Sequence, residues 1–319
     1  LLASFTVITY FVFQSDFVVK EVFSMGVKKS IKSSFTKSQK LCDLFSSFLL
    51  AKQSMNLAED TLRGYKLSIA RFLKVVGEDF LVSSVCEESV FRFIRVQQEN
   101  GLKEVSINSY LRSIRTFFYW AMDKEYIKPF KITLLREQEV IVETYTREEL
   151  KAILKKPAKK GDFREWRMWA IINYILATGN RAATVRNLRL QDIDFQAKEI
   201  TLAHTKNKKS QVIPLSSSLE TVLKEYIRLW RAYAEPTDWL FCGVNEAQLS
   251  DTSIHQSIRK YNHSRGVQRT GLHALRHTFA KEWILNNGDV FRLQKMLGHS
   301  TLEMTKRYVR MFNEDLRNL

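Results

Sequence analysis

The sequence predicts a mainly α-helical protein with a small β-hairpin or sheet in its second half. Three observations carry that expectation. Gly (11) and Pro (4) are scarce among 319 residues, so little interrupts helix formation. Through much of the first half, apolar residues recur at steps of three and four, the rhythm of one helix face. One later stretch behaves differently: Ile200 and Leu202 alternate with Thr201 and Ala203, and Gln211 to Leu215 reads as a returning strand.

The charge balance narrows the function before any motif is read. Fifty Lys and Arg against 34 Asp and Glu give a net +16, which points to a polyanionic partner, nucleic acid before membrane. No run of about 18 apolar residues predicts a membrane span. Cys42, Cys86 and Cys242 are too few and too scattered for a disulfide framework or a zinc site. They fit a reducing, cytoplasmic setting.

Residues 1–37 are expected to be a leader or flexible tail. Leu1 to Phe13 is apolar but lacks the basic start of a signal peptide, and the first methionine is Met25. Residues 1–24 therefore read as upstream translation or a non-native extension. Met25-Gly26-Val27-Lys28-Lys29-Ser30 matches a myristoylation pattern, against which the rest of the chain argues. Lys28, Lys29, Lys32, Lys37 and Lys40 form a basic run suited to a solvated tail or to a DNA backbone.

Residues 38–126 are expected to form a four-helix bundle. Leu41, Leu44, Phe45 and Phe48 mark the first helix, and Leu62, Tyr65, Ile69 and Phe72 the second. Val90, Phe91 and Ile94 mark the third; Ile107, Leu111, Ile114, Phe118 and Ala121 mark a long fourth. These stripes are core, and basic residues such as Arg63, Lys66, Arg71, Arg112 and Arg115 lie on other faces. Residues 127–145, with Pro129 and no clean period, read as a linker. Residues 146–319 then form a second domain. It opens on a capping box at Thr146 and Glu149, followed by a helix ending near Lys155 or Pro157. Met168, Ile171, Ile172 and Ile175 predict a deeply buried helix. It runs into Ala177-Thr178-Gly179-Asn180-Arg181, with a further helical piece through Leu188. Asp192 and Asp194 read as capping and turning residues, and Lys206 as the tip of the hairpin.

Further on, Leu272, Leu275, Phe279 and Trp283 share a stripe, and His273 and Arg276 sit beside it at i and i+3. Two donors presented in one direction suit an anion, or a structural carboxylate or carbonyl. His277 reads as support. Asp289 is placed to cap the next helix and Gly298 to end it, leaving His299 in the corner. Ser300 and Glu303 form a second capping box on a helix carrying Tyr308, with Lys306, Arg307 and Arg310 as basic neighbours.

Arg181, Lys206, His273, Arg276, His299 and Tyr308, in that order, resemble the tyrosine recombinases of the phage integrase family. The matching text is Ala177-Thr178-Gly179-Asn180-Arg181, then His204-Thr205-Lys206 before Val212-Ile213-Pro214-Leu215. Leu272-His273-Ala274-Leu275-Arg276-His277-Thr278-Phe279-Ala280 and Leu297-Gly298-His299-Ser300-Thr301-Leu302 through Tyr308 complete it. The resemblance covers roughly residues 38–315. Two positions depart from it: Thr184 stands where an acidic residue is frequent, and Asn180 where Leu or Met is.

The resemblance implies a helical core-binding domain and a mixed α/β catalytic domain closing around double-stranded DNA as a clamp. Four protomers would hold two recombination sites and exchange strands through a Holliday junction. Tyr308 would attack phosphorus to give a 3′-phosphotyrosyl bond and a free 5′-hydroxyl. Arg181 and Arg276 would hold the non-bridging oxygens, whose charge a planar guanidinium suits. His273 would accept the phenol proton or donate to the phosphate, His299 would donate a further hydrogen bond, and Lys206 would protonate the leaving oxygen. The covalent intermediate conserves the bond, so no nucleotide, metal or other cofactor is implied. A type IB topoisomerase shares this chemistry, and a DNA-binding protein with a dead site shares the charge.

Overall fold

The computed structural model describes residues 39–137, 143–158, 160–203, 210–306 and 308–309. The chain divides into two units, one up to residue 139 and one from residue 140. Expectations for residues 1–37, and for Lys206 at the hairpin tip, lie outside the described residues.

The first unit contains α1 (Leu41–Ser54), α2 (Glu59–Val76), α3 (Glu87–Glu99) and α4 (Glu104–Asp123). Helix α4 is the spine, and Ile107, Leu111, Ile114, Phe117, Phe118 and Ala121 along it are wholly buried. Around them the phenylalanines meet edge to face: Phe72 and Phe118 have centroids 5.3 Å apart, Phe45 and Phe117 5.2 Å. On α3 Val90 and Ile94 lie against the core as expected, but Phe91 does not. Phe91 is 57 % exposed and Phe93 is wholly buried, because Val90, Phe93 and Gln97 make the i, i+3, i+7 row that faces α2 and α4. Part of the stretch read as linker belongs to this bundle. Ile127 and Ile132 are buried in its core. The Asn108 carboxamide both donates to the Leu135 carbonyl and accepts from its amide, each at 2.8 Å, as a neighbouring strand would.

The second unit begins with α5 (Arg147–Ile153), which ends sooner than Lys155. Thr146 Oγ1 accepts from the Glu149 amide at 3.2 Å, and Glu149 returns the bond at 2.9 Å. Helix α6 (Phe163–Thr178) is apolar nearly all round and passes through the middle of the core. After α7 (Ala182–Arg186) come three antiparallel strands in the order β1 (Ile193–Asp194), β2 (Glu199–Leu202) and β3 (Gln211–Pro214). Ile200 pairs with Ile213 and Leu202 with Gln211, so Ile200, Leu202 and Ile213 face the core while Val212 faces out. Asp192 and Asp194 cap and turn as expected, accepting from the Arg189 amide and from the Gln196 and Ala197 amides, all at 2.8 Å. Helices α8 (Ser217–Trp230), α9 (Asp251–Ser264), α10 (Leu272–Leu285) and α11 (Val290–Leu297) complete the unit, followed by helical residues at 302–306 and 308–309. No helix among the described residues is long and apolar enough to cross a membrane.

Candidate active site

Two helix ends build the site. Helix α6 stops at Gly179, whose φ of 67° is left-handed, and α11 stops at Gly298 with φ 60°. At position 179 a Cβ would lie 2.4 Å from the Phe279 ring, so only glycine lets the chain pass there. The carbonyls at such ends lack helical partners and carry partial negative charge.

Arg276 fills that vacancy. It lies on α10, only 4 % exposed, and donates through Nη1 to the Gly179 carbonyl at 2.7 Å and through Nη2 to the Leu297 carbonyl at 2.9 Å. Arg181, the residue before α7, approaches the same Leu297 carbonyl at 3.4 Å. Neither arginine pairs with a carboxylate among the described residues; main-chain oxygens hold them instead. Burial, and then the charge of Arg181, push the Arg276 guanidinium down to about 10, which leaves it charged at neutral pH. Thr184 makes no hydrogen bond to Arg181. The Asn180 side chain is buried and donates to the Tyr174 hydroxyl at 2.8 Å, which accounts for a polar residue at that position.

The same guanidinium fixes the state of His299. Arg276 Nη2 lies 2.9 Å from His299 Nε2, and because a guanidinium only donates, that nitrogen accepts. The imidazole proton is therefore on Nδ1, which donates to Thr305 Oγ1 at 2.9 Å. Burial, then the Arg276 and Arg181 charges, lower His299 to about 4, so it is neutral. In this arrangement His299 accepts, rather than donating as the sequence reading has it, because its outward nitrogen is occupied by Arg276.

Tyr308 is 8 % exposed and packs among Phe279, Ile284, Leu293 and Leu297. Its ring stacks on His299 at 6.1 Å, with the planes 2° apart. Its hydroxyl lies 2.8 Å from His277 Nδ1. The histidine that meets the tyrosine is thus His277, not His273. His273 is exposed, with its ring 6.5 Å from that of His277, and makes no hydrogen bond to Tyr308. The surrounding protein, and then the Arg276 charge, lower its basicity. The structure therefore brings Arg181, Arg276, His299 and Tyr308 together and leaves His273 at the rim.

Beside them is a cleft of about 610 Å³ lined by Arg181, Thr184, Gln211, Arg276, Lys295 and His299, among others. Strand β3 is fastened to its wall by Gln211, which donates to the Lys295 carbonyl at 2.5 Å. Leu202 and Ser210, which flank the connection containing Lys206, also line the cleft. Among the described residues no cluster of His, Cys, Asp and Glu could hold a metal ion. The cationic groups make the cleft suited to a phosphodiester with a phenol beside it.

Comparison with known proteins gives the same direction. Residues 143–314 match the phage integrase family, and residues 43–125 match the phage integrase N-terminal SAM-like domain. The tyrosine recombinase XerC of Staphylococcus aureus is 24 % identical over 274 residues, covering 84 % of this chain and 91 % of that protein. Among solved structures, the Tn1549 transposon integrase in complex with transposon right end DNA aligns with a TM-score of 0.72 at 21 % identity, covering 88 % of this chain and all of that one. The XerH site-specific recombinase bound to palindromic difH substrate aligns at 0.67 and 21 % identity, covering 84 % and 81 %. These two likenesses show a common fold. With its catalytic region matched over more than half of its length, the chain belongs to the phage integrase family and is a site-specific recombinase that cleaves and rejoins DNA through a tyrosine.

Proposed function

We propose that Tyr308 is the nucleophile of this recombinase and that Arg181 and Arg276 hold the scissile phosphate in the cleft beside it. The observation that carries the reading is the shared position of the phenol and the buried guanidinium: Tyr308 stacks on His299, His299 lies 2.9 Å from Arg276, and both His299 and Arg276 line the cleft. A phosphate entering the cleft would meet Arg181 and Arg276 on its non-bridging oxygens, where charge grows during attack. The tyrosine oxygen attacks phosphorus, the 3′-phosphotyrosyl bond forms, and the 5′-oxygen leaves with a proton from Lys206. His273, exposed at the rim, supplies a donor to the phosphate. His299 joins it in the tautomer that carries the proton on Nε2, once Arg276 turns from that nitrogen to the phosphate.

The partner is double-stranded DNA carrying recombination sites, bound by the bundle (38–126) and the catalytic domain (146–319) together, in the cytoplasm. Four protomers assemble on two sites, and strands exchange through a Holliday junction. The net charge of +16 supports the DNA contact.

The test uses nicked duplexes selected from a randomised pool by covalent capture on the full-length protein. Tyr308→Phe is expected to yield no denaturation-resistant adduct while retaining the same duplexes under native conditions, because one hydroxyl is lost and the phosphate contacts remain. An adduct on the Phe variant refutes the assignment.

A further inference from the structure

Two imidazoles, His277 and His299, meet Tyr308, and a third, His273, lies beside His277; the structure separates their capacities. His299 cannot take a proton through Nε2 while Arg276 donates to that nitrogen at 2.9 Å, and its Nδ1 already carries the proton shared with Thr305. His273 makes no hydrogen bond to the tyrosine. His277 Nδ1 lies 2.8 Å from the Tyr308 hydroxyl, and the two rings touch with centroids 5.5 Å apart. An imidazole with its proton on Nε2 accepts at Nδ1, and the Tyr308 hydroxyl is the donor at that contact. The phenol's own hydrogen is then directed at the imidazole nitrogen.

We propose that His277 is a further catalytic residue, the base that takes the Tyr308 proton as the tyrosine attacks DNA. This inference rests on Tyr308 being the nucleophile. In the step, the Tyr308 O–H bond breaks and the proton passes to His277 Nδ1. The phenolate oxygen forms the bond to phosphorus, and the P–O5′ bond breaks with its electron pair on O5′, which takes a proton from the Lys206 ammonium. Religation reverses each transfer, and His277 returns the proton to the phenol. The Arg276 charge serves both partners, favouring the developing phenolate and meeting the phosphate. The charge of the imidazolium formed at His277 is offset by the anionic phosphate that Tyr308 attacks.

Sequence placement explains why one histidine on α10 meets the tyrosine and the other does not. His273 and His277 are one turn apart, i and i+4, on the same face. Helix α11 and the corner at Gly298 return the chain against the later turn of α10, where Phe279, Ala280 and Ile284 receive Tyr308.

The experiment is single-turnover cleavage by the full-length protein of a duplex selected as above. His277→Asn keeps a polar atom where Nδ1 stands but cannot take up a proton; His277→Ala removes both. Both are expected to slow adduct formation about a hundredfold or more with native DNA retention unchanged. Placing trifluorotyrosine at 308, whose phenol ionises near neutrality and needs no base, is expected to narrow the difference between His277 and His277→Asn to less than about tenfold. Cleavage by His277→Asn at the parent rate overturns the proposal and leaves His277 as a hydrogen-bonding support. So does an undiminished defect with trifluorotyrosine. Adduct formation by Tyr308→Phe overturns the nucleophile itself, a separate result from either of these.

Discussion

In the N-terminal bundle the interior is aromatic: Phe48, Phe72, Phe93, Phe117 and Phe118 are all essentially buried, and among the described residues it buries no charged side chain. The catalytic unit has an apolar core of comparable completeness around Trp166, Tyr174 and Leu223, yet it also buries Arg167, Arg231 and Arg276 at 3–4 % exposure. The difference separates two tasks. A bundle that presents basic residues on its outside can use its inside wholly for packing. A site that must hold a phosphate needs positive charge already stripped of water, and the second unit accepts that desolvation where the bundle does not.

The largest expected effect tests the bundle's side of this contrast. Phe72→Ala removes a ring that meets both Phe93 and Phe118, and it should destabilise the bundle by about 3–5 kcal/mol in urea unfolding. A change under about 1 kcal/mol would mean that the aromatic core is not what holds it. Arg276→Met tests the other side. Losing a buried charge offsets the loss of its hydrogen bonds, so stability should shift by no more than about 1 kcal/mol, while cleavage falls about a hundred- to a thousandfold. Unfolding of the variant well below the parent temperature would make Arg276 a structural brace first and a phosphate ligand second.

The smallest effect is a pH dependence confined to the catalytic unit. Folded His299 titrates at about 4, against about 6.5 for an unfolded histidine. Above the higher value both states are neutral. Below it the unfolded chain takes the proton first, so stability falls as pH drops from about 6.5 towards about 4. Thermal unfolding at pH 7 and pH 5 should show the loss, and His299→Gln should lose less over the same interval. Equal losses in both proteins would place the sensitivity in another group.

How far the sequence could be read follows the range of the interactions. The bundle helices were legible because burial repeats every three to four residues, and on α3 only Phe91 was misplaced, since Phe91 and Phe93 differ by two positions in a run where either fits. Strand β1 was not, because two residues carry no period. Helices α8 and α9 carry no functional motif and were left unassigned. At the site, residue types in order marked Arg181, Arg276, His299 and Tyr308, which the structure places together. Their bonding was not legible. The acceptors of Arg276 are main-chain oxygens, which have no letter in a sequence, and whether His273 or His277 meets Tyr308 depends on where a segment 31 residues later returns.

The carbonyl clamp bears on which substitutions this site can absorb. A carboxylate that orients an arginine is lost by a single codon change, and the arginine is then left to wander. The oxygens of Gly179 and Leu297 survive every substitution at those positions that the fold tolerates, because each residue type carries the same backbone group. Mutational risk is thereby concentrated in the arginine and in Gly179, where a side chain would meet Phe279. Thr184 makes no bond to Arg276, so a hydroxyl at that position leaves this anchor untouched, and the gene encodes no separate residue for it.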